Sequence, residues 1–234
     1  EPRGDEKELA EITDLIGSYT TNFASSSAGR AKNVITGVSK VDGTILYPGE
    51  EFDLAKTVSP FTQENGYELA GAYQNGTVVE SFGGGICQVA TTLYNAVIRA
   101  ELEITMRFNH SMLVHYVEPS MDAAIAGNYK DLKFKNNLDA PVYIEGYCSG
   151  GIIYFNVYGK ETRPSNREIS FESETVSKTD PKVQFTMDAS LTAGSVSVTQ
   201  SGQSGCIAQL WKIVKVDGKQ QSRDLFNKSN YQAT

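Results

Sequence analysis

The segment SFGGGICQVATTLYNAVIRAELEI, residues 81–104, decides the fold because it joins three consecutive glycines to a long apolar stretch. The apolar residues recur at helical spacing, so they predict an amphipathic helix that starts near Ile86. They are Ile86, Val89, Leu93, Ala96 and Val97. Cys87 then falls in the first helical turn, where backbone N–H groups have no partner within the helix.

This position favours a reactive cysteine. The free N–H groups and the helix dipole both stabilise the thiolate and lower the pKa of Cys87. The N–H groups of Gly83, Gly84 and Gly85 are predicted to form an anion-binding nest that also holds substrate. A thiolate beside such donors supplies a nucleophile and an oxyanion site for acyl transfer. The alternative is a small structural residue behind a glycine turn.

A cysteine nucleophile requires a base, and the chain contains only His110 and His115. Their odd separation places them on opposite faces of a strand, so at most one is expected to face Cys87. We favour His110, whose neighbours Asn109 and Ser111 are polar, and count Ser111 among the substrate-binding residues. The same geometry disfavours a zinc site, and no metal is expected.

Two acidic residues are candidates to orient the histidine. Asp122 follows the histidine segment beyond Pro119, and we assign it to the catalytic set. Asp131 is the second candidate and is counted with the substrate-binding residues, although either carboxylate could cap a turn. Thr91 and Tyr94 share a helical face with Cys87, so they either line the pocket or pack in the core.

Other patterns predict the elements around this centre. Apolar spacing predicts a helix within residues 5–17, and Ser25–Ser27 provides an N-cap for a second helix through Val38. The Asp-Gly pair in KVDGTIL, residues 40–46, indicates a hairpin. RFNHSMLVHYVEP, residues 107–119, is predicted as a strand. APVYIEGYCSGGIIYFNVYG, residues 140–159, is predicted as a hairpin.

The composition changes near Pro164, where we place a domain boundary. Residues 164–234 are rich in alternating Ser, Thr and Val, a pattern typical of strands, and KIVKVDGKQQSRDLF indicates a hairpin. The sequence therefore predicts an α+β fold. Residues 1–163 form a domain of mixed helices and antiparallel sheet, and residues 164–234 form a small all-β module.

Composition narrows the function classes. The 234 residues carry a net charge of -7, which argues against nucleic-acid binding and against attachment to an anionic membrane surface. No apolar run of about 18 residues is present. The chain starts at Glu1 and not at Met, so any signal peptide or membrane anchor would lie upstream of it. Three cysteines form no disulfide framework, and whether Cys148 pairs with Cys206 stays open.

Several long motifs resemble the VanW domain over about residues 17–160. They are VITGVSKVDGTILYPGEEFDL, AGAYQNGTVVESFGGGICQVATTLYNA, NHSMLVHYVEPSMDAAI and DLKFKNN. The tail, with SVSVTQSGQSG and KIVKVDGKQQSRDLF, is similar to the G-five module, a small β-rich unit often attached to cell-wall enzymes. The resemblance implies an extracellular protein of the bacterial cell wall, anchored to the membrane in its full length.

The resemblance also implies a chemistry, since some VanW-domain proteins are associated with L,D-transpeptidase activity. The cysteine and histidine of the family fall on Cys87 and His110. The chain lacks the Ser-His-Gly-Cys motif of better-known L,D-transpeptidases. The implied partners are peptidoglycan stem peptides, a tetrapeptide donor and an amine acceptor, and no cofactor is expected. The alternatives are a non-catalytic wall-binding module and a cysteine peptidase or amidase that cuts stems.

Overall fold

The computed structural model describes residues 4–74, 77–127, 129–183, 185–192, 194–198 and 201–234, with residues 72–74 and 77–78 described by backbone alone. The helices are α1 (Glu6–Leu9), α2 (Ala28–Val41), α3 (Leu54–Val58), a 3-10 helix (Gln63–Asn65) and α4 (Ile86–Arg99). The strands are β1 (Asp14–Asn22), β2 (Thr44–Leu46), β3 (Glu51–Asp53), β4 (Leu69–Gln74), β5 (Thr77–Phe82), β6 (Glu103–Met106), β7 (Lys133–Lys135), β8 (Val142–Ser149), β9 (Ile152–Gly159), β10 (Arg167–Thr179), β11 (Gly205–Val216) and β12 (Lys219–Tyr231).

A four-stranded antiparallel sheet, in the order β1-β9-β8-β2, supports the main core. Helices α2 and α4 pack on it, and nearly every side chain of α4 is buried. The polar residues of α4 are buried as well, and each donates a hydrogen bond to a backbone carbonyl: Gln88, Thr91, Thr92 and Asn95. The fold therefore fixes α4 firmly, and with it the position of its first turn.

Several sequence predictions are confirmed. The predicted helix after Ser25–Ser27 is α2, and the side chain of Ser27 caps it by accepting from the N–H of Arg30. Residues 140–159 form the β8–β9 hairpin, in which buried residues alternate with less buried ones. The α+β class is also confirmed, because the structure combines helices with antiparallel sheets.

Two local predictions were wrong. The helix expected within residues 5–17 is limited to Glu6–Leu9, because Asp14–Asn22 pairs with β9 as an edge strand of the main sheet. The Asp42-Gly43 pair connects α2 to β2 and is not the turn of a hairpin. In both cases pairing with the distant β8–β9 hairpin determines the local structure.

The segment of residues 107–119 forms no strand, contrary to the prediction. Its backbone groups bond to irregular segments instead: the N–H of Ala124 donates to the carbonyl of Phe108 at 2.8 Å. The N–H of Gln232 donates to the carbonyl of Ser111 at 2.7 Å. This loop runs between the first turn of α4 and the C-terminal sheet, so it can carry side chains to both.

The C-terminal sheet has the order β10-β11-β12, and its β11–β12 hairpin confirms the prediction for KIVKVDGKQQSRDLF. No strand occurs among the described residues of 180–204, where Val196 and Val198 are exposed and unpaired with any sheet. Leu210 of β11 joins the main hydrophobic core. None of the helices in the described ranges has both the length and the apolar character to cross a membrane.

Candidate active site

Cys87 is the second residue of α4 and follows the turn of Gly83, Gly84 and Gly85. The helix begins at Ile86 as predicted, and its N-cap Gly85 has no side chain to occupy the free N–H groups. The N–H of Ile86 donates to the carbonyl of Gly83 at 3.1 Å. Within the described part of the chain, the N–H groups of Gly85 and Cys87 donate to no protein acceptor, so they are available to an oxyanion.

The glycine turn is held by the protein around it. The buried amide of Asn33 donates to the carbonyl of Gly84 at 3.0 Å. A Cβ atom on Gly84 would lie 2.8 Å from the carbonyl oxygen of Ala70, so only glycine fits there. Gly85 has φ 113°, which L residues rarely adopt, and its Cβ position lies against Arg30. The turn is therefore rigid, and it holds the start of α4 in one place.

His110 and Asp122 form a hydrogen-bonded pair beside Cys87. The Nδ1 atom of His110 lies 2.6 Å from Oδ2 of Asp122, and the backbone N–H of His110 donates to the same oxygen at 2.7 Å. Because Nδ1 is occupied, Nε2 is the ring nitrogen left to act on the thiol of Cys87, whose pKa His110 lowers. The structure thus brings three predicted residues into one chain of contacts.

The carboxylate of Asp122 is buried and receives two further donors at Oδ1. The guanidinium of Arg107 donates to it at 3.0 Å, and the hydroxyl of Tyr231 also donates to it. Arg107 additionally donates to the backbone carbonyl of Asp122 at 2.7 Å. These contacts satisfy a buried charge from several sides, so the orientation of the carboxylate is well determined.

The electrostatics of the pair favour a thiolate and an imidazolium. Burial alone would raise the pKa of Cys87, but the hydrogen bond and charge of His110 and the backbone N–H of Ile125 outweigh it and lower that pKa. Burial likewise opposes the charged form of His110, whereas Asp122 and Cys87 raise its pKa to about 9. The pKa of Asp122 is lowered despite burial, because His110 and Arg107 stabilise the carboxylate.

A cavity of about 460 Å³ opens over Cys87. Gly83–Gly85 and Cys87 form one wall, and Arg30 lies beside them. His110, His115 and Tyr116 also line the cavity, together with the loop of residues 125–127. Burial raises the pKa of Tyr116 well above its ordinary value, so this hydroxyl stays protonated next to the thiolate. Cys87 itself is partly exposed and is among the residues that line the cavity.

Comparison with known protein families identifies the fold around this site. The family described as "VanW like protein" matches residues 29–158, more than half of the chain. The chain belongs to the VanW-like protein family. The G5 domain family matches residues 171–233, which contain most of the C-terminal sheet. VanW and G5 domains together are typical of extracellular cell-wall proteins.

Two curated relatives resemble the chain. "Uncharacterized protein YoaR" of Bacillus subtilis (strain 168) is 35% identical over 161 residues, which are 68% of this chain and 53% of the relative. "Vancomycin B-type resistance protein VanW" of Enterococcus faecalis (strain ATCC 700802 / V583) is 26% identical over 118 residues, 48% of this chain and 42% of the relative. The chain thus spans about half the length of these relatives. No solved structure matches it significantly.

Four residues of the VanW-like chain predicted to bind substrate lie outside the pocket. The hydroxyl of Thr91 bonds to both backbone groups of Ala123 and fixes the loop that carries Asp122. Tyr94 is buried under the guanidinium of Arg107, and Ser111 is exposed. Asp131 accepts from the N–H groups of Ala55 and Leu132, beside the β3–β7 strands. Thr91 and Tyr94 therefore pack in the core, and Asp131 caps a turn, which are the alternatives given for these residues from the sequence.

Sequence reasoning missed three side chains of the VanW-domain site. Arg107 lies 15 residues from Asp122, and Tyr231 lies 109 residues away in the G5 module. Arg30 belongs to α2 and reaches the pocket only because α2 packs beside α4. Periodicity carries no signal for such long-range contacts. Among the residues that the structure describes, no cluster of three or more His, Cys, Asp or Glu side chains could hold a metal ion.

Proposed function

We propose that the chain is a cysteine acyltransferase of the cell wall, an L,D-transpeptidase that cross-links peptidoglycan stem peptides. The observation that carries this proposal is the arrangement of Cys87 and His110 in the lining of one cavity of a VanW domain, with the buried Asp122 bonded to His110 behind it. A non-catalytic wall-binding module would not need a buried carboxylate to orient a histidine toward a cysteine. The ion pair is the feature expected of an activated nucleophile.

The first step forms a thioester. The Cys87 thiolate attacks the carbonyl carbon that joins the third residue of a tetrapeptide stem to its terminal D-alanine. The N–H groups of Gly85 and Cys87 stabilise the oxyanion. The protonated Nε2 of His110 then gives its proton to the departing amine, the C–N bond breaks, and D-alanine leaves. His110 is neutral at the end of this step.

The second step resolves the thioester. The side-chain amine of an acceptor stem attacks the thioester carbonyl, and neutral His110 takes the proton that the amine loses. The C–S bond breaks, the new amide forms the cross-link, and Cys87 returns as a thiolate beside protonated His110. Water in place of the amine would release a shortened stem, which is the reaction of a carboxypeptidase.

Product analysis with disaccharide-tetrapeptide tests the proposal. The wild-type protein is expected to yield a cross-linked dimer with loss of D-alanine, detected by mass spectrometry, whereas Cys87→Ala yields none. Cys148→Ala is the matched control, because Cys148 lies on β8 outside the pocket and should leave turnover unchanged. Dimer formation by Cys87→Ala would overturn the cysteine mechanism, and shortened stems without dimers would favour the peptidase or amidase.

A further inference from the structure

Arg30 stands in the wall of the active-site cavity next to the glycine turn. It is the third residue of α2, and its Cγ atom would lie only 3.0 Å from a Cβ atom on Gly85. The side chain therefore packs against the residue that caps α4, two positions before Cys87. Arg30 lines this cavity, and so does Gln88, whose Oε1 atom accepts a hydrogen bond from the Arg30 guanidinium.

Neutral groups hold this guanidinium in place. Its NH1 group donates to the hydroxyl of Ser26 at 2.6 Å, and its NH2 group donates to Oε1 of Gln88 at 2.9 Å. The amide nitrogen of Gln88 in turn donates to the hydroxyl of Thr21 at 3.1 Å and to the carbonyl of Asn22 at 2.9 Å. Gln88 is buried, so this network fixes the orientation of Arg30 before any ligand arrives.

The charge of Arg30 is not neutralised by the protein. Within the described part of the chain, no carboxylate lies at ion-pair distance from Arg30, whereas Arg107, Arg163, Arg167 and Arg223 each contact one. The described residues that line the cavity also include no Asp or Glu. A guanidinium has five donors in a planar fork, and two neutral acceptors leave the others free for an anion.

We propose that Arg30 binds the C-terminal carboxylate of the donor peptide. This inference rests on the proposed acyl transfer and adds the residue that recognises the end of the donor, a peptide whose scissile bond directly precedes its last residue. A single Cα atom separates the carboxylate of that residue from the scissile nitrogen, so an anion site must lie in the same cavity as Cys87. A guanidinium matches a carboxylate in two parallel hydrogen bonds. A stem extended by another residue would place an amide against Arg30.

Binding to an inactive variant tests this assignment without turnover. In Cys87→Ala, disaccharide-tetrapeptide is compared with the same compound carrying a C-terminal carboxamide, by calorimetry or NMR titration. We expect the carboxamide to bind about tenfold more weakly, because it loses a charge-assisted contact. Adding Arg30→Gln should weaken tetrapeptide binding by about the same factor and abolish the difference between the ligands. Arg223→Gln, on the C-terminal sheet, is the matched control and should keep the difference.

The outcomes separate this inference from the proposed function. Any of three results would overturn the role of Arg30. Cys87→Ala binds the two ligands equally, it does not bind the tetrapeptide, or the difference between the ligands persists after Arg30→Gln is added. Alkylation of Cys87 by neutral iodoacetamide in the Arg30→Gln single variant checks that the site is intact. A protein that discriminates the carboxylate but forms no product supports Arg30 and contradicts the transpeptidase. A protein that forms cross-links but binds the two ligands equally would support the transpeptidase and contradict the role of Arg30.

Discussion

Cys87 and Cys148 are both partly exposed free thiols, yet their surroundings give them opposite chemistry. Cys148 lies on β8 near the end of a hairpin, where burial raises its pKa to about 11. Cys87 is also penalised by burial, but His110 and the N–H of Ile125 reverse the effect and lower its pKa. Partial burial therefore does not decide reactivity. The difference comes from a charged partner held in place by Asp122.

Cys206 extends the comparison to the C-terminal sheet. It is buried in a small cluster with Ala208 and Tyr231, and burial raises its pKa. It is a free thiol like Cys148, so the structure contains no disulfide between them. Two of the three cysteines thus behave as small apolar residues, and they serve as internal references for the third.

Removal of His110 should convert Cys87 into a thiol like Cys148, and this is the largest effect we expect. His110→Ala removes both the charge that stabilises the thiolate and the acid that protonates the leaving amine. Turnover of disaccharide-tetrapeptide should fall about 10⁴-fold. Alkylation of Cys87 at neutral pH should fall as well, measured by peptide mapping with Cys148 as reference. His115→Ala replaces the other histidine that lines the cavity and should retain most activity. An equal loss in both variants would contradict this assignment.

The rate of alkylation should also differ between Cys87 and Cys148, by a smaller factor than the loss of turnover in His110→Ala. Near pH 7 Cys148, with a pKa of about 11, is almost entirely protonated, whereas the lowered pKa of Cys87 gives it a larger fraction of thiolate. Because a thiolate of lower pKa is also less nucleophilic, the rate of Cys87 should exceed that of Cys148 by about 10²-fold. As pH rises toward 11, Cys148 gains thiolate and the ratio should shrink. If the ratio of the two alkylation rates did not change with pH, the ion pair of Cys87 and His110 would not be the cause of the difference.

Turnover should respond differently from alkylation at high pH. The raised pKa of His110, about 9, means that His110 keeps its proton below that pH and loses it above. Leaving-group protonation therefore fails as pH rises through about 9, whereas Cys87 stays ionised and open to iodoacetamide. If cross-linking falls above pH 9 while alkylation of Cys87 persists, the loss of turnover is due to deprotonation of His110.

The sequence predicted the residues at the centre of the site better than the segments that hold them in place. The apolar spacing after Gly85 indicated α4, since a buried helix carries its pattern within a few turns. Alternation indicated the β8–β9 hairpin for the same reason. Residues 107–119 were wrongly predicted as a strand, because their apolar residues pack against distant elements and no neighbouring strand pairs with them. Tyr231 could not be foreseen, because only the docking of the G5 module brings it to Asp122.

Tyr231→Phe should have the smallest effect and tests whether the C-terminal module contributes to the difference between Cys87 and Cys148. Tyr231 is buried on β12, donates to Asp122 and accepts the N–H of Ser120 at 2.7 Å, but it does not line the cavity. Loss of its hydroxyl leaves Asp122 with Arg107 and His110, so kcat should fall by roughly threefold to tenfold with little change in KM. Stability should fall by about 1–2 kcal/mol in urea denaturation. Tyr129→Phe, an exposed tyrosine, is the control. A change in KM with constant kcat would mean that Tyr231 acts on the substrate pocket. Unchanged kinetics together with the loss of stability would mean that the G5 sheet stabilises the fold and does not contribute to catalysis.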